Sequence, residues 1–294
     1  MAQTSVDQGQ TEPTQRHPDI RIRQARVEED DVLSRILCNA FLPVWNHNWF
    51  HGISKPLEPV QIGTVNGPTP PMTRRQKTRV RFYRSLVKLT RYLAGDSNVL
   101  VADVPASDAN SKPGAREIGA ILLWSPPGKR IKWYDTLNLV RSGNLALILP
   151  WHYGPSGFWR IEMIYEANVF SMFKKTLSDL PPSGFKEPQC GFIQMLATNP
   201  KYLGNGYASL VLKHRMDQHF VEFPDRPVIL DTTTEQAIRA YTKLGFKILA
   251  QMPVDTGTDE LGIWLSKSAS EEVRRKGRET CIQTVMVKMP PQSR

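Results

Sequence analysis

The sequence predicts a mixed α/β fold, with helices packed against a sheet that contains both parallel and antiparallel strands. An apolar run of strand length over 191–198 leads into a glycine-rich turn, and a segment with helical apolar spacing begins at Tyr207. Strand-like and helix-like segments also alternate along most of the chain, which is typical of a sheet covered by helices.

The first part of the chain predicts one strand, two helices and a two-stranded hairpin. Residues 19–26 alternate between apolar and polar types, which indicates a strand. Residues 27–41 begin with consecutive acids and continue with apolar residues at helical spacing, as expected of a helix N-terminus. A second helix is predicted over 73–94, and the runs 98–103 and 117–124 predict the hairpin strands.

The predicted helix over 73–94 carries much of the formal net charge of +10. Its apolar residues recur at helical spacing, so its basic residues form an outer face. Such a face can bind nucleic acid or can simply be solvated while it attracts polyanionic ligands. We favour the solvated face, because no aromatic residues alternate with the charges to stack on bases. Nucleic acid is therefore not an expected partner.

The segment 127–187 separates the predicted third and fourth strands by about sixty residues. An unstructured connection of that length is improbable in a compact domain, so we predict a helical insertion there. We predict a single domain over 19–294, preceded by a disordered polar lead over 1–18. Near the C-terminus we predict a loop over 251–259 and strands over 260–266 and 281–288. Between those two strands we predict a charged helix or loop over 268–278.

The glycine-rich turn before Tyr207 predicts a phosphate or pyrophosphate site. Gly204 and Gly206 permit a sharp turn, and the amides of the following helix N-terminus point at one spot. The P-loop pattern is absent, and the dinucleotide fingerprint fails because Ser209 replaces its third glycine. Lys201 to Gly206 instead fit the pattern Gln/Arg-x-x-Gly-x-Gly/Ala, with Lys in the first place.

A second motif lies downstream. Residues 237–246, Ala-Ile-Arg-Ala-Tyr-Thr-Lys-Leu-Gly-Phe, end in Leu-Gly-Phe after a helical run. Together the two motifs resemble the GNAT superfamily of N-acetyltransferases, and the chain is similar to stand-alone fungal GNAT-domain proteins. The resemblance covers about 188–266. Lys201 departs from the usual Gln or Arg, and Thr234 stands where many members have Asn.

The resemblance implies the GNAT acyl-CoA N-acyltransferase fold and acetyl-CoA as cosubstrate, without a metal. The fourth strand would pair with the pantetheine arm, the loop amides would bind the pyrophosphate, and Lys201 would add a charge. The residues expected to bind acetyl-CoA are Leu196, Ala197, Thr198, Lys201, Leu203, Gly204, Asn205, Gly206, Tyr207, Ala208 and Thr234.

The same resemblance implies direct attack of an amine on the thioester, which requires a base and an acid. Tyr241, at the family's tyrosine position, is the expected acid. Asp231 is the first candidate base, although it could equally cap the following helix. Glu162 and His152 are the alternatives, and both lie in the insertion over 127–187, which we expect to cap the acceptor site. A set of aromatic residues either lines the acceptor pocket or belongs to the core: Trp45, Trp49, Phe50, Trp151, Tyr153, Phe158 and Trp159.

The expected activity is acetyl transfer from acetyl-CoA to a small primary amine, such as an amino acid, a polyamine or a xenobiotic. The alternatives are a protein or peptide acetyltransferase acting on Lys or N-terminal amines, and a non-catalytic CoA- or nucleic-acid-binding module. Three dispersed cysteines predict buried thiols and a reducing, cytoplasmic location. No membrane span is expected, since no long apolar run occurs. The sequence does not decide between a monomer and a homodimer.

Overall fold

The computed structural model describes residues 19–65, 67–107, 114–132, 135–148, 152–181 and 184–291. The predicted lead over 1–18 and Trp151 lie outside these residues. The described residues form one seven-stranded sheet. Its strands are β1 Arg21–Gln24, β2 Val99–Pro105, β3 Arg116–Ser125, β4 Gly191–Thr198, β5 Val228–Thr232, β6 Lys247–Pro253 and β7 Ile282–Lys288.

The sheet is mixed, as predicted. Its strand order is β1-β2-β3-β4-β5-β7-β6, and all neighbours are antiparallel except β4 and β5. The hairpin predicted from 98–103 and 117–124 is the pair β2–β3. The single parallel pair lies at the centre of the sheet, directly before the glycine-rich turn.

Helices cover the sheet and connect its strands. Their bounds are α1 Asp30–Ala40, α2 Trp45–Phe50, α3 Arg74–Ala94, α4 Thr136–Ser142, α5 Gly154–Phe158, α6 Ala167–Thr176, α7 Tyr207–Glu222, α8 Glu235–Lys243 and α9 Glu271–Thr280. A π-helical segment, Trp159–Glu166, joins α5 to α6. No helix among the described residues is long and apolar enough to cross a bilayer.

Alternation along the strands decides which helix packs on which face. In β2, Val99 and Val101 join the apolar cluster that contains residues of α1 and α3. Leu100 and Ala102 join the cluster that contains residues of α7 and α8. Successive strand residues point to opposite faces, so a continuous apolar run such as β2 can be covered on both sides.

The segment between β3 and β4 is helical in its described part, as the long connection predicted. It contributes α4, α5, the π-helical segment and α6. Val169 and Phe173 of α6 are fully buried in a third apolar cluster with Phe192 of β4 and Ile229 of β5. This packing positions the insertion beside the parallel pair of the sheet.

The basic helix α3 begins as expected, but part of its charge is directed inward. Thr73 caps it by accepting a hydrogen bond from the amide of Gln76 at 3.3 Å. Arg79 is completely buried, and Arg91 is 9% exposed and pairs with Asp30 at 2.9 Å. The outer face is therefore less basic than the sequence pattern indicated.

The strand predicted over 260–266 is wrong. The strand that follows α8 is β6, Lys247–Pro253, which pairs with β7. Residues 260–266 instead form a turn, because Gly262 has a φ of +74° and lies tightly against the carbonyl of Trp45. The charged segment 268–278 contains α9, and the strand predicted over 281–288 is β7.

Candidate active site

The two central strands separate soon after they meet. Pairing between β4 and β5 covers only Gly191 with Val228 and Phe192 with Ile229 among the described residues. On the other side of β4, the register with β3 shifts between Leu123 and Trp124, which leaves Gln194 as an extra residue. Such a β-bulge bends the strand that carries it. The edge of β4 that faces β5 is therefore open beyond Phe192.

The predicted residues Leu196, Ala197 and Thr198 lie on this open part of β4. They stay paired to β3 on one side, with Leu122, Ile121 and Ala120 respectively. Their outer backbone edge can therefore bind an extended ligand arm in the manner of an added strand. The buried Oε1 of Gln194 has no hydrogen-bond partner among the described residues, and this atom lies at the same separation of the strands.

The glycine-rich turn has the backbone that its sequence predicted. Gly204 and Gly206 have φ values of +86° and +74°, a region that disfavours other residues. A Cβ atom built at either position would meet no atom within 4 Å, so the space beside the turn is open. No side chain caps α7 after Gly206. The first amides of a helix lack intrahelical partners and carry its positive dipole end, so this turn can hold a phosphate group.

The remaining loop residues contribute backbone more than side chains. Tyr207 is 8% exposed and Leu203 is 65% exposed. The ring of Tyr207 lies against Gly119 of β3, where an added Cβ would come within 2.6 Å of it. Asn205 is exposed and Ala208 is half-buried. A phosphate group at this turn would therefore be bound mainly by main-chain amides.

Lys201 has a partner that the sequence did not suggest. Its Nζ lies 2.9 Å from both carboxylate oxygens of Glu117 on β3. The hydroxyl of Tyr202 donates to the same carboxylate at 2.8 Å. A ligand phosphate would therefore share Lys201 with Glu117, which reduces the electrostatic contribution expected of that lysine.

Asp231 is the penultimate residue of β5, beyond the last residue of β5 that pairs with β4, and it does not cap α8. The cap is Thr234, whose hydroxyl accepts a hydrogen bond from the amide of Ala237 at 3.2 Å. Asp231 instead accepts a hydrogen bond of 2.7 Å from the hydroxyl of Tyr165 in the π-helical segment. The carboxylate is therefore not engaged as a helix cap. Thr234 stabilises α8, a role that does not require ligand contact.

Arg130 holds two further carboxylates near Asp231. Its guanidinium lies 2.8 Å from Glu166 and 3.2 Å from Glu187, and it stacks over the ring of Phe192 at 4.1 Å. We refer to Asp231, Glu162, Glu166, Glu187 and Arg130 as the acid cluster. It contains four carboxylates and one guanidinium, so the balance of charge disfavours full ionisation.

Three carboxyl groups of the acid cluster, those of Glu166, Asp231 and Glu162, have a pKa above the ordinary value. Burial raises the pKa of Glu166 to about 7, with Arg130 opposing the rise and Asp231, Glu162 and Glu187 reinforcing it. Burial also raises the pKa of Asp231 and that of Glu162. A carboxyl group with a pKa near 7 can accept and release a proton at neutral pH, as general bases do.

Tyr241 is 8% exposed and lies in α8, with its ring 5.6 Å from that of Phe246. Burial raises its pKa above the ordinary value, and the negative charge of Asp231 adds to the rise. Tyr241 therefore stays protonated at neutral pH and can donate a proton or a hydrogen bond.

The other candidates lie elsewhere. Burial and the charges of Arg81 and Arg74 lower the pKa of His152, so this residue lies among cations rather than in the acid cluster. Trp45, Trp49, Phe50 and Tyr153 are core residues, Phe158 is partly buried, and Trp159 is 58% exposed.

The cysteines Cys38, Cys190 and Cys281 are free and buried. The described residues hold no group of three or more metal-ligating side chains arranged for an ion.

Sequence reasoning missed Glu166, Arg130, Tyr165 and Gln194. One signal was present, since Glu162 and Glu166 are two acids four residues apart in an otherwise apolar stretch. The structure makes that stretch π-helical, a conformation that recurs at functional sites.

The chain is similar to known acetyltransferases. Residues 123–246 match the family model described as Acetyltransferase (GNAT) family, from β3 to the end of the second motif. Comparison with curated proteins gives no match.

Several solved structures also match this chain, among them two from insects and one from a bacterium. Arylalkylamine N-acetyltransferase 2 from Aedes aegypti is 15% identical with a TM-score of 0.49, over 92% of this chain and 99% of that one. Polyamine N-acetyltransferase of Drosophila melanogaster is 14% identical with a TM-score of 0.46, over 92% and 100%. An HPA2-related acetyltransferase from Corynebacterium glutamicum is 14% identical with a TM-score of 0.47, over 94% and 98%.

Proposed function

We propose that this protein, an acyltransferase whose residues 123–246 match the GNAT acetyltransferase family model, acetylates a small primary amine with acetyl-CoA. The acceptor class comprises amino acids, polyamines and xenobiotic amines. One observation carries this proposal: the separation of β4 from β5 lies between the open glycine turn and the carboxylate of Asp231. A thioester carrier and an amine can meet there.

The cosubstrate would be held mainly by backbone. The amides from Leu203 to Ala208 would bind the pyrophosphate, supported by the open space beside Gly204 and Gly206. The free edge of β4 at 196–198 would pair with the pantetheine arm. Acetyl-CoA supplies the activated thioester carbonyl, and no metal is required for its transfer.

The acid cluster would prepare the acceptor. An alkylamine is mostly protonated at pH 7 and must lose a proton before it attacks. Glu166, with a pKa near 7, and its neighbour Asp231 are suited to take that proton, and Tyr165 orients Asp231 through their hydrogen bond. Tyr241 would donate a proton to the leaving thiolate, because its raised pKa keeps it protonated.

A small acceptor agrees better with the insertion than a peptide does. The π-helical segment lies over the end of β5 and contacts Asp231 through Tyr165. A long peptide would need an open groove over this carboxylate, whereas a small amine needs only a cavity. Acetylation of proteins or peptides remains the alternative, and the predicted cytoplasmic location and fungal likeness remain predictions.

Free-thiol release from acetyl-CoA tests the proposal directly. The panel comprises polyamines, amino acids, arylamines and a Lys peptide, with Gly206→Glu as the variant expected not to bind the cosubstrate. Turnover with free amines and none with the peptide supports the proposed class. Turnover with the peptide alone would replace it by protein acetylation, and CoA binding without turnover would leave a non-catalytic module.

A further inference from the structure

A separate cavity of about 310 Å³ lies between the C-terminal end of α2, the first turns of α3 and the start of α5. We refer to it as the arginine cavity, because Arg74, Arg75 and Arg79 line it together with His51 and His152. No carboxylate is among its lining residues in the described chain. Most of the lining lies outside the residues that match the family model. The cavity therefore has arginines and no acidic group in its lining, and it shares no lining residue with the acid cluster.

Arg79 is the unusual member of this group. It is 0% exposed, and its Nη2 donates to Oδ1 of Asn48 at 2.7 Å. Its Nε and Nη1 have no hydrogen-bond partner among the described residues. Asn48 is neutral and is itself fixed, because its amide nitrogen donates to the carbonyls of Leu42 and Leu261. Among the described residues, the charge of Arg79 therefore has no compensating carboxylate.

The other buried arginines show the contrast. Arg35 lies 2.7 Å from Asp31, Arg91 lies 2.9 Å from Asp30, and Arg215 lies 3.6 Å from Glu222. Each therefore has a carboxylate, whereas Arg79 has none in the described part of the chain. Burying an unpaired charge costs several kcal/mol, so such charges are normally paired.

Two histidines add further polar atoms to the lining of the cavity. The buried Nε2 of His51 and Nδ1 of His152 have no partner among the described residues. Burial and the charge of Arg79 hold the pKa of His51 well below its ordinary value, so His51 is neutral. A neutral imidazole still has one N–H donor. The lining thus combines guanidinium forks, which match planar and tetrahedral oxyanions, with further donors.

We propose that the arginine cavity binds an oxyanion group, either a carboxylate or a phosphate-type anion. Arg79 is its buried anchor, and Arg74 and Arg75 lie at the mouth, since both are exposed. The volume far exceeds the ~10–15 Å³ that a cavity needs to hold one water, so the anionic group can carry a small organic body. The binding does not depend on the activity proposed above.

The test is thermal unfolding in sodium phosphate or sodium sulfate, against sodium chloride at equal ionic strength. A ligand that binds only the folded protein raises the Tm in a saturable way. We expect this rise for the wild type and at least a tenfold weaker apparent affinity for Arg74→Gln/Arg75→Gln. Both replaced residues are exposed, so the variant should fold.

Lys77→Gln and Lys213→Gln combined give the matched control, since both residues are exposed and lie outside the cavity, and the two changes remove the same charge. The control should respond to phosphate as the wild type does. An equal response of all three proteins, or none in the wild type, would overturn the proposal, because stabilisation would then be a general salt effect.

Inhibition of thiol release distinguishes the sources of the anionic group. If the anionic group belongs to the acceptor, phosphate will compete with an acceptor amine that carries a carboxylate. It will not compete with an acceptor amine that lacks an anionic group. If a free anion is the ligand, phosphate will raise the Tm without competing with either amine. Both results support an oxyanion site in the arginine cavity. Only this inhibition experiment rests on the proposed function, because the thermal unfolding test needs no activity.

Discussion

The hydroxyl of Tyr165 donates a hydrogen bond of 2.7 Å to Oδ2 of Asp231. This contact joins the inserted π-helical segment to the end of β5, across 66 residues of chain. It fixes the orientation of the carboxylate that we assign to proton transfer. The insertion therefore takes part in the candidate active site.

Glu166→Gln should remove the titration of the acid cluster near neutral pH. The wild-type kcat/KM is expected to rise with pH through about 7, because Glu166 must lose its proton to act as a base. The variant should lose that inflection and about 10²-fold in rate at pH 8. Glu235→Gln, on the exposed start of α8, is the control. A uniform loss that keeps the inflection would assign Glu166 a structural role only.

Asp231→Asn and Tyr165→Phe should separate a base from the residue that positions it. Asn cannot accept the proton, so we expect a fall in kcat of about 10²-fold, whereas Tyr165→Phe removes one hydrogen bond and should cost about tenfold. Steady-state kinetics across pH measures both. If Tyr165→Phe alone is as inactive as Asp231→Asn, the tyrosine has a direct role that we have not assigned.

Tyr241→Phe should lower kcat by about 10²-fold and leave the KM for acetyl-CoA nearly unchanged, because only the proton donor is lost. Tyr92→Phe is a suitable control, since Tyr92 is 46% exposed on α3. Thermal unfolding of both variants excludes a folding defect. A wild-type kcat in Tyr241→Phe would reduce this residue to a packing role against Phe246.

Gly206→Glu should abolish protection by CoA against heat. The side chain would enter the open space beside the turn and repel the pyrophosphate. Gly143→Glu is the matched control, since Gly143 also has a positive φ, of +78°, and an added Cβ there meets no atom within 4 Å. Both variants should lose about 1–2 kcal/mol through backbone strain. Retained CoA protection in Gly206→Glu would move the phosphate site elsewhere.

Glu29→Gln tests the ion pairs that join β1 to α1. Burial alone would raise the pKa of Glu29, but hydrogen bonds from Arg23 and Arg26 lower it to about 2. The stabilisation is therefore complete above the ordinary value of 4.5 and disappears as the pH falls towards 2. The variant should lose about 3 kcal/mol at pH 7, as for other broken buried pairs, and progressively less below pH ~4.

Denaturant unfolding at several pH values measures this difference. Glu28→Gln, a change at the exposed neighbouring residue, should stay close to the wild type throughout. A loss of stability that is equal at pH 3 and pH 7 would show that the charge of Glu29 is unimportant.

Local features of this site could be predicted from sequence, and contacts between distant segments could not. The glycine turn, its uncapped helix and the position of Tyr241 follow from short motifs with defined backbone requirements. The bulge at Gln194 and the pairing of Arg130 with Glu166 depend on how separate segments pack, as does the hydrogen bond of Asp231. The π-helical segment has no simple periodicity that would identify its inward face. Likewise, β6 was missed because its pairing with β7 spans a long turn and α9.

The insertion supplies both the guanidinium and most of the carboxylates around the end of β5, together with the tyrosine that steers Asp231. Exchanging this segment between related enzymes would therefore transplant the working pH range along with the choice of acceptor. In the proposed enzyme, acceptor selectivity and proton transfer would therefore depend on the same segment of chain.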